Sequence, residues 1–410
     1  MESTRCCVVG GGPAGMMLGL LLARAGVEVT VLEKHRDFLR DFRGDTVHPS
    51  TLRLLDDLGL GERFAALPQR ELERMRMRIG ESTVVAADFG RLRGRRNYIA
   101  MVPQWDFLDL LANAAQDEPS FTLRMCKEVT GLRSEGGRVT GVGYLNEDGS
   151  PGELAADLTV GCDGRGSVVR RSAGMRSRAF DIPMDVWSVR VPAVSGSGAG
   201  GQVFARFADG QVAVTMDRGD YLQTSYLIRK GDDARLRARG IEWFRGALAE
   251  LFGWPPHVLE EIGSFDDVKL LETSMDRLPR WYADGVLCIG DAAHTMSPVG
   301  GVGVNLAVQD AAATARLLAA PLLRGTVGVA DLARVQRRRM LPTAVAQRLQ
   351  LGEHEMLLRP ALDGTLGAKR LPLPMRLLRR FPALGAVTAH VGGVGVRPER
   401  APGFARRAQR

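Results

Sequence analysis

Gly10, Gly12 and Gly15 form a G-x-G-x-x-G run, and Glu33 follows it. Joined to a strand before and a helix after, such a run holds a dinucleotide pyrophosphate. Gly10 permits the turn, Gly12 lets the backbone approach the phosphates, and Gly15 lets helix and strand pack closely. Pro13 and Ala14 lie in the same turn and are candidate cofactor contacts with the glycines, and the helix that follows has N-terminal N–H groups and a positive dipole end that suit phosphate oxygens. Glu33, with Lys34 beside it, is placed to accept hydrogen bonds from a ribose diol. The motif by itself does not separate FAD from NAD.

The elements around it have the required pattern. Residues 5–9 read as a buried strand, 16–25 as an apolar helix closed by Gly26, and 27–33 as a second strand, which makes a βαβ unit. Helical spacing returns at 49–58 and 103–115, and strand alternation at 74–85. Residues 121–145 read as a strand meander, and 158–162 as a buried strand. From about 176 to 275 period-two runs separated by Gly- and Asp-rich turns indicate an antiparallel sheet. A Gly-rich segment at 285–305 and a helix after it return to the nucleotide-binding texture. The expected fold is therefore α/β: a Rossmann-like dinucleotide-binding domain with an inserted antiparallel β-sheet domain and a helical C-terminal region. The expected division is 1–75, 100–175 and 276–350 for the first, 76–99 and 176–275 for the second, and 351–410 for the third.

Composition narrows the class. The 410 residues are 45% hydrophobic and 25% charged, with a net charge of +8. No run of 18 apolar residues occurs, so no integral membrane association is expected. The early apolar residues lead into the glycine turn, which makes them part of a fold and not a signal peptide. Arginines are spread along the chain without a nucleic-acid motif, so nucleic acid is not expected as a partner. Cys6, Cys7, Cys126, Cys162 and Cys288 have no C-x-x-C spacing and read as free thiols of a cytoplasmic protein. The histidines are scattered, so no metal site is expected.

Two later motifs extend the first. Cys162-Asp163-Gly164-Arg165-Gly166-Ser167 resembles the "DG" fingerprint of flavoprotein hydroxylases. Gly290-Asp291-Ala292-Ala293-His294, running on through Pro298 to Gly301-Val302-Gly303-Val304-Asn305, resembles their "GD" fingerprint. With the N-terminal motif, over about residues 5–350, the chain resembles the class A flavoprotein monooxygenases, the aromatic-hydroxylase-like FAD-binding family. The resemblance implies that the Rossmann-like domain is a GR2-type FAD-binding domain with the inserted antiparallel β-sheet as substrate domain, that FAD is bound, that NADPH or NADH reduces it as a transient co-substrate, and that it reacts with O2 through a flavin C4a-hydroperoxide. The implied product is an oxygenated, most often hydroxylated, aromatic or polycyclic small molecule of secondary metabolism or aromatic catabolism. Epoxidation and Baeyer–Villiger insertion stay open. A flavin reductase, a halogenase (without a Trp-x-Trp-x-Ile-Pro segment here) and a nonenzymatic FAD-binding protein are the other classes. A monomer or homodimer is expected.

Residue by residue, the resemblance gives Asp291 a ribityl hydroxyl. It places the N–H groups of Gly301, Val302, Gly303, Val304 and Asn305 at the pyrimidine side of the ring. Arg43 and Pro298 are the candidate catalytic residues at the reacting ring, Arg43 also reaching phosphate, and Gln104 contacts FAD. Asp163 either bridges the flavin and nicotinamide functions or caps Arg165–Arg170 locally. His294 belongs to the turn structure. On the inserted sheet, Met216, Tyr221 and Gln223 are the candidate substrate residues.

Overall fold

The computed structural model describes residues 2–39, 45–193, 203–208, 210–366 and 371–408. Strand Ser3–Val9 lies at the centre of a parallel sheet, paired with Val29–Leu32 on one side and Pro151–Gly161 on the other. Phe121–Arg124 and Val286–Cys288 extend the sheet outwards, both parallel. Cys6, Cys7, Val8, Val29 and Val31 have no exposed surface, because helices cover both faces and a parallel strand then needs no polar side. The strand order reverses between Ser3–Val9 and Pro151–Gly161, and the crevice at such a switch point is where open α/β sheets hold ligands.

Phe121–Arg124 was expected in a meander but joins the parallel sheet instead. Its ring fills the space that Gly19 leaves, where a Cβ would come within 2.8 Å of Phe121 Cε2. In this sheet Glu128–Glu135, Arg138–Leu145 and the first half of Pro151–Gly161 pair antiparallel in succession, as a meander.

A second sheet has seven strands, in the order Lys269–Leu271, Met184–Pro192, Tyr221–Arg229, Gln211–Asp217, Val203–Ala208, Arg74–Ile79 and Ser82–Asp88. Alternation gives it two different faces. Trp187, Val189, Leu222, Tyr226 and Ile228 pack on Phe244 and Leu248 of helix Ile241–Phe252. Val186, Phe207, Val212 and Leu227 face the other way, in a cluster that Val299 joins from the Gly-rich loop.

The helical segment Val299–Leu323, which contains helix Val302–Leu323, is long and apolar enough to cross a membrane, but 78% of its apolar window is buried inside the protein, as a core helix would be. Helix Val329–Glu353 packs along it. Helices Leu373–Arg380 and Leu384–Ala389 cover the edge strand Ser82–Asp88. The tail then returns to the parallel sheet: buried Glu399 accepts from Arg338 at 2.6 and 2.9 Å, and Arg400 pairs with Asp57 at 2.7 Å.

Candidate functional site

The first glycine turn is shaped by close approach. Gly10 has φ +101°, its N–H donates to the Leu32 carbonyl at 2.8 Å, and a Cβ there would meet the Cys162 carbonyl oxygen at 2.6 Å. A Cβ on Gly15 would stand 1.9 Å from the Gly10 carbonyl oxygen. Gly12 differs, with nothing within 4 Å of where its Cβ would be. Helix Pro13–Arg24 starts there without a side-chain cap, and Met16 is the first residue whose N–H closes a helical bond, to Gly12. Open space beside the uncapped N–H groups of Ala14 and Gly15 is a cradle for an anion. Glu33 is 8% exposed and accepts from the N–H of Gly11 at 2.8 Å and of His35 at 3.1 Å, which pins its carboxylate beside the turn. Lys34 lines an open cleft next to it with His35, Cys126 and Glu147.

The second turn meets the first. Gly290 has φ +58°, and a Cβ there would lie 3.2 Å from Ala14 Cβ and 3.3 Å from Ala307 Cβ. One glycine thus sits where the first helix crosses Val302–Leu323, and the half-buried Asp291 follows it. Gly290 N–H donates to Asp310 Oδ2 at 3.1 Å. Asp310, fully buried, also pairs with His294 Nε2 at 2.6 Å and Arg339 Nε at 2.8 Å. Burial pushes its carboxyl up, but His294 and Arg339 together hold it below the ordinary carboxylate value. His294 is therefore a buried partner of Asp310, as its placement in the turn structure implies.

Pro298 is exposed and leads into Gly300 (φ +75°) and Gly301 (φ +62°), after which Val302–Leu323 begins, again without a side-chain cap. Val302 and Gly303 are half-buried; the nearest atom to a Gly303 Cβ would be Met296 Cβ, at 3.9 Å. Val304 and Asn305 are buried, and Asn305 Oδ1 accepts from Ser50 Oγ at 2.8 Å and Thr51 Oγ1 at 2.7 Å. Thr46 Oγ1 donates to the Gly301 carbonyl at 3.1 Å.

Helix Val329–Glu353 and the turn after it hold this loop from behind. Gln350 Nε2 donates to the carbonyls of Ser297 at 3.0 Å and Val299 at 2.6 Å. Ser297 Oγ is 2.9 Å from His354 Nε2, and Gln347 Nε2 donates to Thr295 at 3.1 Å. Sequence reasoning missed these residues. The signal is a polar stripe, Arg339, Thr343, Gln347, Gln350 and His354, spaced along one helical face and buried throughout.

Asp163 sits in a cap. Its oxygens accept from Ser167 Oγ at 2.6 Å and from the N–H groups of Val168 and Val169 at 2.7 and 3.1 Å. Arg43 lies outside the described residues. Gln104 opens helix Gln104–Gln116, and its N–H donates to the Asp45 carboxylate. Asp45 also pairs with Arg218, which donates to Gln223 Oε1 at 3.0 and 2.8 Å. Burial raises the Asp45 carboxyl above its ordinary value despite Arg218. Gln223 is directly opposite Met216 across the strand pair, and Tyr221 is two residues from Gln223, so the three candidate substrate residues share a face. It is the face whose neighbours pack toward Val299. The Arg190 guanidinium lies 5.1 Å from the centre of the Tyr221 ring.

Two uncapped helix starts with room for a ligand, joined through Gly290 and flanked by Glu33 and Asp291, fit an extended dinucleotide cofactor. Fold and turns together define a dinucleotide-binding flavoprotein of Rossmann type with a large sheet inserted. Residues 3–349 match the FAD binding domain family, and the chain belongs to it, as a class A flavoprotein monooxygenase. It is 34% identical to the 6-methylpretetramide 4-monooxygenase of Streptomyces rimosus over 95% of this chain and 92% of the relative. It is 31% identical to the 12-dehydrotetracycline 5-monooxygenase/anhydrotetracycline 6-monooxygenase of the same species, over 74% of this chain and 60% of that enzyme. Among solved structures, OxyS anhydrotetracycline hydroxylase of S. rimosus superposes with a TM-score of 0.75 at 25% identity, covering 96% of this chain and 76% of that one. Pseudomonas aeruginosa PqsL, at 20% identity and a TM-score of 0.75 over 89% and 98% of the two chains, shares the fold.

Proposed function

We propose that this flavoprotein uses NADPH or NADH and O2 to hydroxylate an aromatic ring of a polycyclic substrate of the tetracycline kind. The observation that carries the reading is the sheet face opposite the Val299–Gly301 loop. It is lined by Met75, Met77, Val214 and Met216, with Tyr221, Gln223 and Arg190 as its polar groups. A flat apolar surface with a few fixed polar groups suits a large aromatic molecule. The identity along nearly the whole of the S. rimosus 6-methylpretetramide 4-monooxygenase supports the same substrate class.

Bound FAD would supply hydride acceptance and O2 activation. The chain's own residues supply the rest. Glu33 would orient a ribose diol, the N–H groups of Ala14 and Gly15 would take phosphate charge, and Asp291 would hold a ribityl hydroxyl. The N–H groups of Gly301 to Asn305, at the start of helix Val302–Leu323, would stabilise negative charge on a reduced ring. Arg43, Pro298 and Gln104 are assigned to the ring surroundings, and Met216, Tyr221 and Gln223 to the substrate. Asp163 is assigned to holding the turn at the switch point, through the cap its oxygens make. The sheet division 1–75, 100–175 and 276–350 against 76–99 and 176–275 is proposed as the functional one, cofactor side against substrate side.

The experiment is a turnover assay of the yellow holoprotein with NADPH and NADH against tetracyclic phenols. Oxidation of the nicotinamide is expected to be slow alone. It should rise about tenfold or more with the true substrate, equivalent to ~1.4 kcal/mol of barrier. The product should gain one oxygen atom. A saturated product formed without O2 uptake would replace the monooxygenase reading with a reductase.

A further inference from the structure

Residues 364–398 hold no Asp or Glu, although the chain has 47 of them, and contain Lys369, Arg370, Arg376, Arg379, Arg380 and Arg397. Within this stretch, helices Leu373–Arg380 and Leu384–Ala389 turn their inner residues, Leu378, Gly385 and Ala389, toward the protein, and both pack on the edge strand Ser82–Asp88. Their outer surface is apolar. Leu373 is 65% exposed, Leu377 43%, Phe381 52%, Leu384 38% and Val387 59%. Leu373 and Leu377 are one turn apart, Leu384 and Val387 are one turn apart, and Phe381 lies at the joint between the helices. Arg376, Arg379 and Arg380 are exposed among them, with the Arg380 guanidinium 5.5 Å from the centre of the Phe381 ring.

We infer that this two-helix surface docks on an anionic lipid bilayer, lying in the headgroup region as a peripheral contact. An apolar row whose own charged residues within 364–398 are all basic is what an interfacial helix presents, since leucine and phenylalanine enter the acyl boundary while the guanidinium groups stay with lipid phosphates. A second copy of this chain fits worse. A two-fold contact brings a patch against itself, and here arginine would face arginine with no carboxylate from residues 364–398 to pair with it. The surface is continuous with the cofactor-site wall. The chain runs from Val387 directly into His390–Val394, where the Gly393 carbonyl accepts from Ser50 Oγ at 3.2 Å, beside Asn305. An enzyme so docked would hold that wall close to the bilayer, where apolar molecules concentrate.

The test is co-sedimentation of the full-length holoprotein with phosphatidylcholine vesicles and with phosphatidylcholine–phosphatidylglycerol vesicles. Binding is expected at least tenfold tighter to the anionic vesicles and is expected to weaken with added salt. Leu377→Asp with Val387→Asp should abolish it, and so should Arg376→Glu with Arg380→Glu. Both pairs should leave FAD content, unfolding temperature and nicotinamide oxidation without vesicles unchanged. Sedimentation with neither vesicle would overturn the inference. So would a dimer in solution that the Leu377→Asp and Val387→Asp changes dissociate, which would assign the face to a second copy. Binding to poly-glutamate in place of vesicles would assign it to an acidic protein, and would equally overturn the lipid docking.

Discussion

Glu33 is 8% exposed, and the N–H groups of Gly11 and His35 take up its side-chain oxygens. That fixation orients the group before any ligand arrives, so removing it should be felt in binding more than in folding. Glu33→Ala is expected to weaken FAD affinity by about 1–3 kcal/mol, the worth of charge-assisted hydrogen bonds. Titration of apoprotein with FAD measures it, and an unchanged affinity would take Glu33 out of the site. His48 poses the opposite problem. Its ring is 1% exposed and faces the backbone of Gly300, Gly301 and Gly392 without a well-aligned hydrogen bond. Burial pushes its pKa down to about 4 from an ordinary 6.5. The folded state thus holds His48 neutral, and its contribution is fully present above pH 6.5 and is lost as pH falls towards 4. Between pH 7 and 4.5 wild type is expected to lose about 2–3 kcal/mol more stability than His48→Asn. Urea unfolding at both pH values tests this, and equal losses would show that His48 does not titrate on unfolding. Glu33 is legible in the sequence because its distance from the glycine run is local. His48 is not, because the backbone that buries it comes from more than 250 residues away.

At the scale of elements, the glycine turns could be read and their support could not. Gly10, Gly15 and Gly290 are demanded by a positive φ or by backbone approaching to van der Waals range, constraints that a short motif records. The support is helix Val329–Glu353, whose Arg339 meets Asp310 of the neighbouring helix, which in turn meets His294 and the Gly290 N–H. Nothing in the spacing of residues 294, 310 and 339 announces that contact, although the buried polar stripe on the helix could have prompted a search for it. Because both charges are fully buried, breaking the pair leaves Arg339 with only the more distant Glu399, at 3.9 Å, as counter-charge, which costs more than the pair itself is worth. Asp310→Asn is expected to destabilise the protein by about 3–5 kcal/mol and to lower FAD content through the Gly290–Asp291 turn. Replacing both partners with apolar residues, Asp310→Leu with Arg339→Met, should cost less than Asp310→Asn alone. Denaturant midpoints of the three proteins decide it. A double variant worse than the single one would mean that the network, and not the unpaired charge, is what the fold needs.

For the molecule as a whole, the change in texture near residue 176 showed that a sheet is inserted, but not how it is tied to the cofactor side. The ties are two. Val299 enters the apolar face of the seven-stranded sheet, and Arg218 at the end of strand Gln211–Asp217 reaches Asp45, whose carboxylate also receives the Gln104 N–H. Asp45 and Arg218 are 173 positions apart, and neither belongs to a motif. Arg218 also donates to Gln223, so one guanidinium joins a proposed FAD contact at Gln104 to a proposed substrate contact at Gln223. A substrate that repositions Gln223 therefore shifts the balance at Asp45. Such a link transmits substrate binding only to the extent that substrate prefers one arrangement of it. Arg218→Ala removes the link and leaves a buried carboxylate that burial already drives toward its neutral form. The expected result is near-normal FAD affinity, with the tenfold or greater stimulation of nicotinamide oxidation by substrate falling to about threefold or less, a loss of ~0.7 kcal/mol or more of coupling. Arg218→Lys should restore the ion pair but not both bonds to Gln223, and so recover stability more than stimulation. Rapid-mixing measurement of flavin bleaching by NADPH, with and without substrate, separates the two. Full stimulation in Arg218→Ala would show that the sheet and the cofactor side communicate by another route, with Val299 the next contact to test.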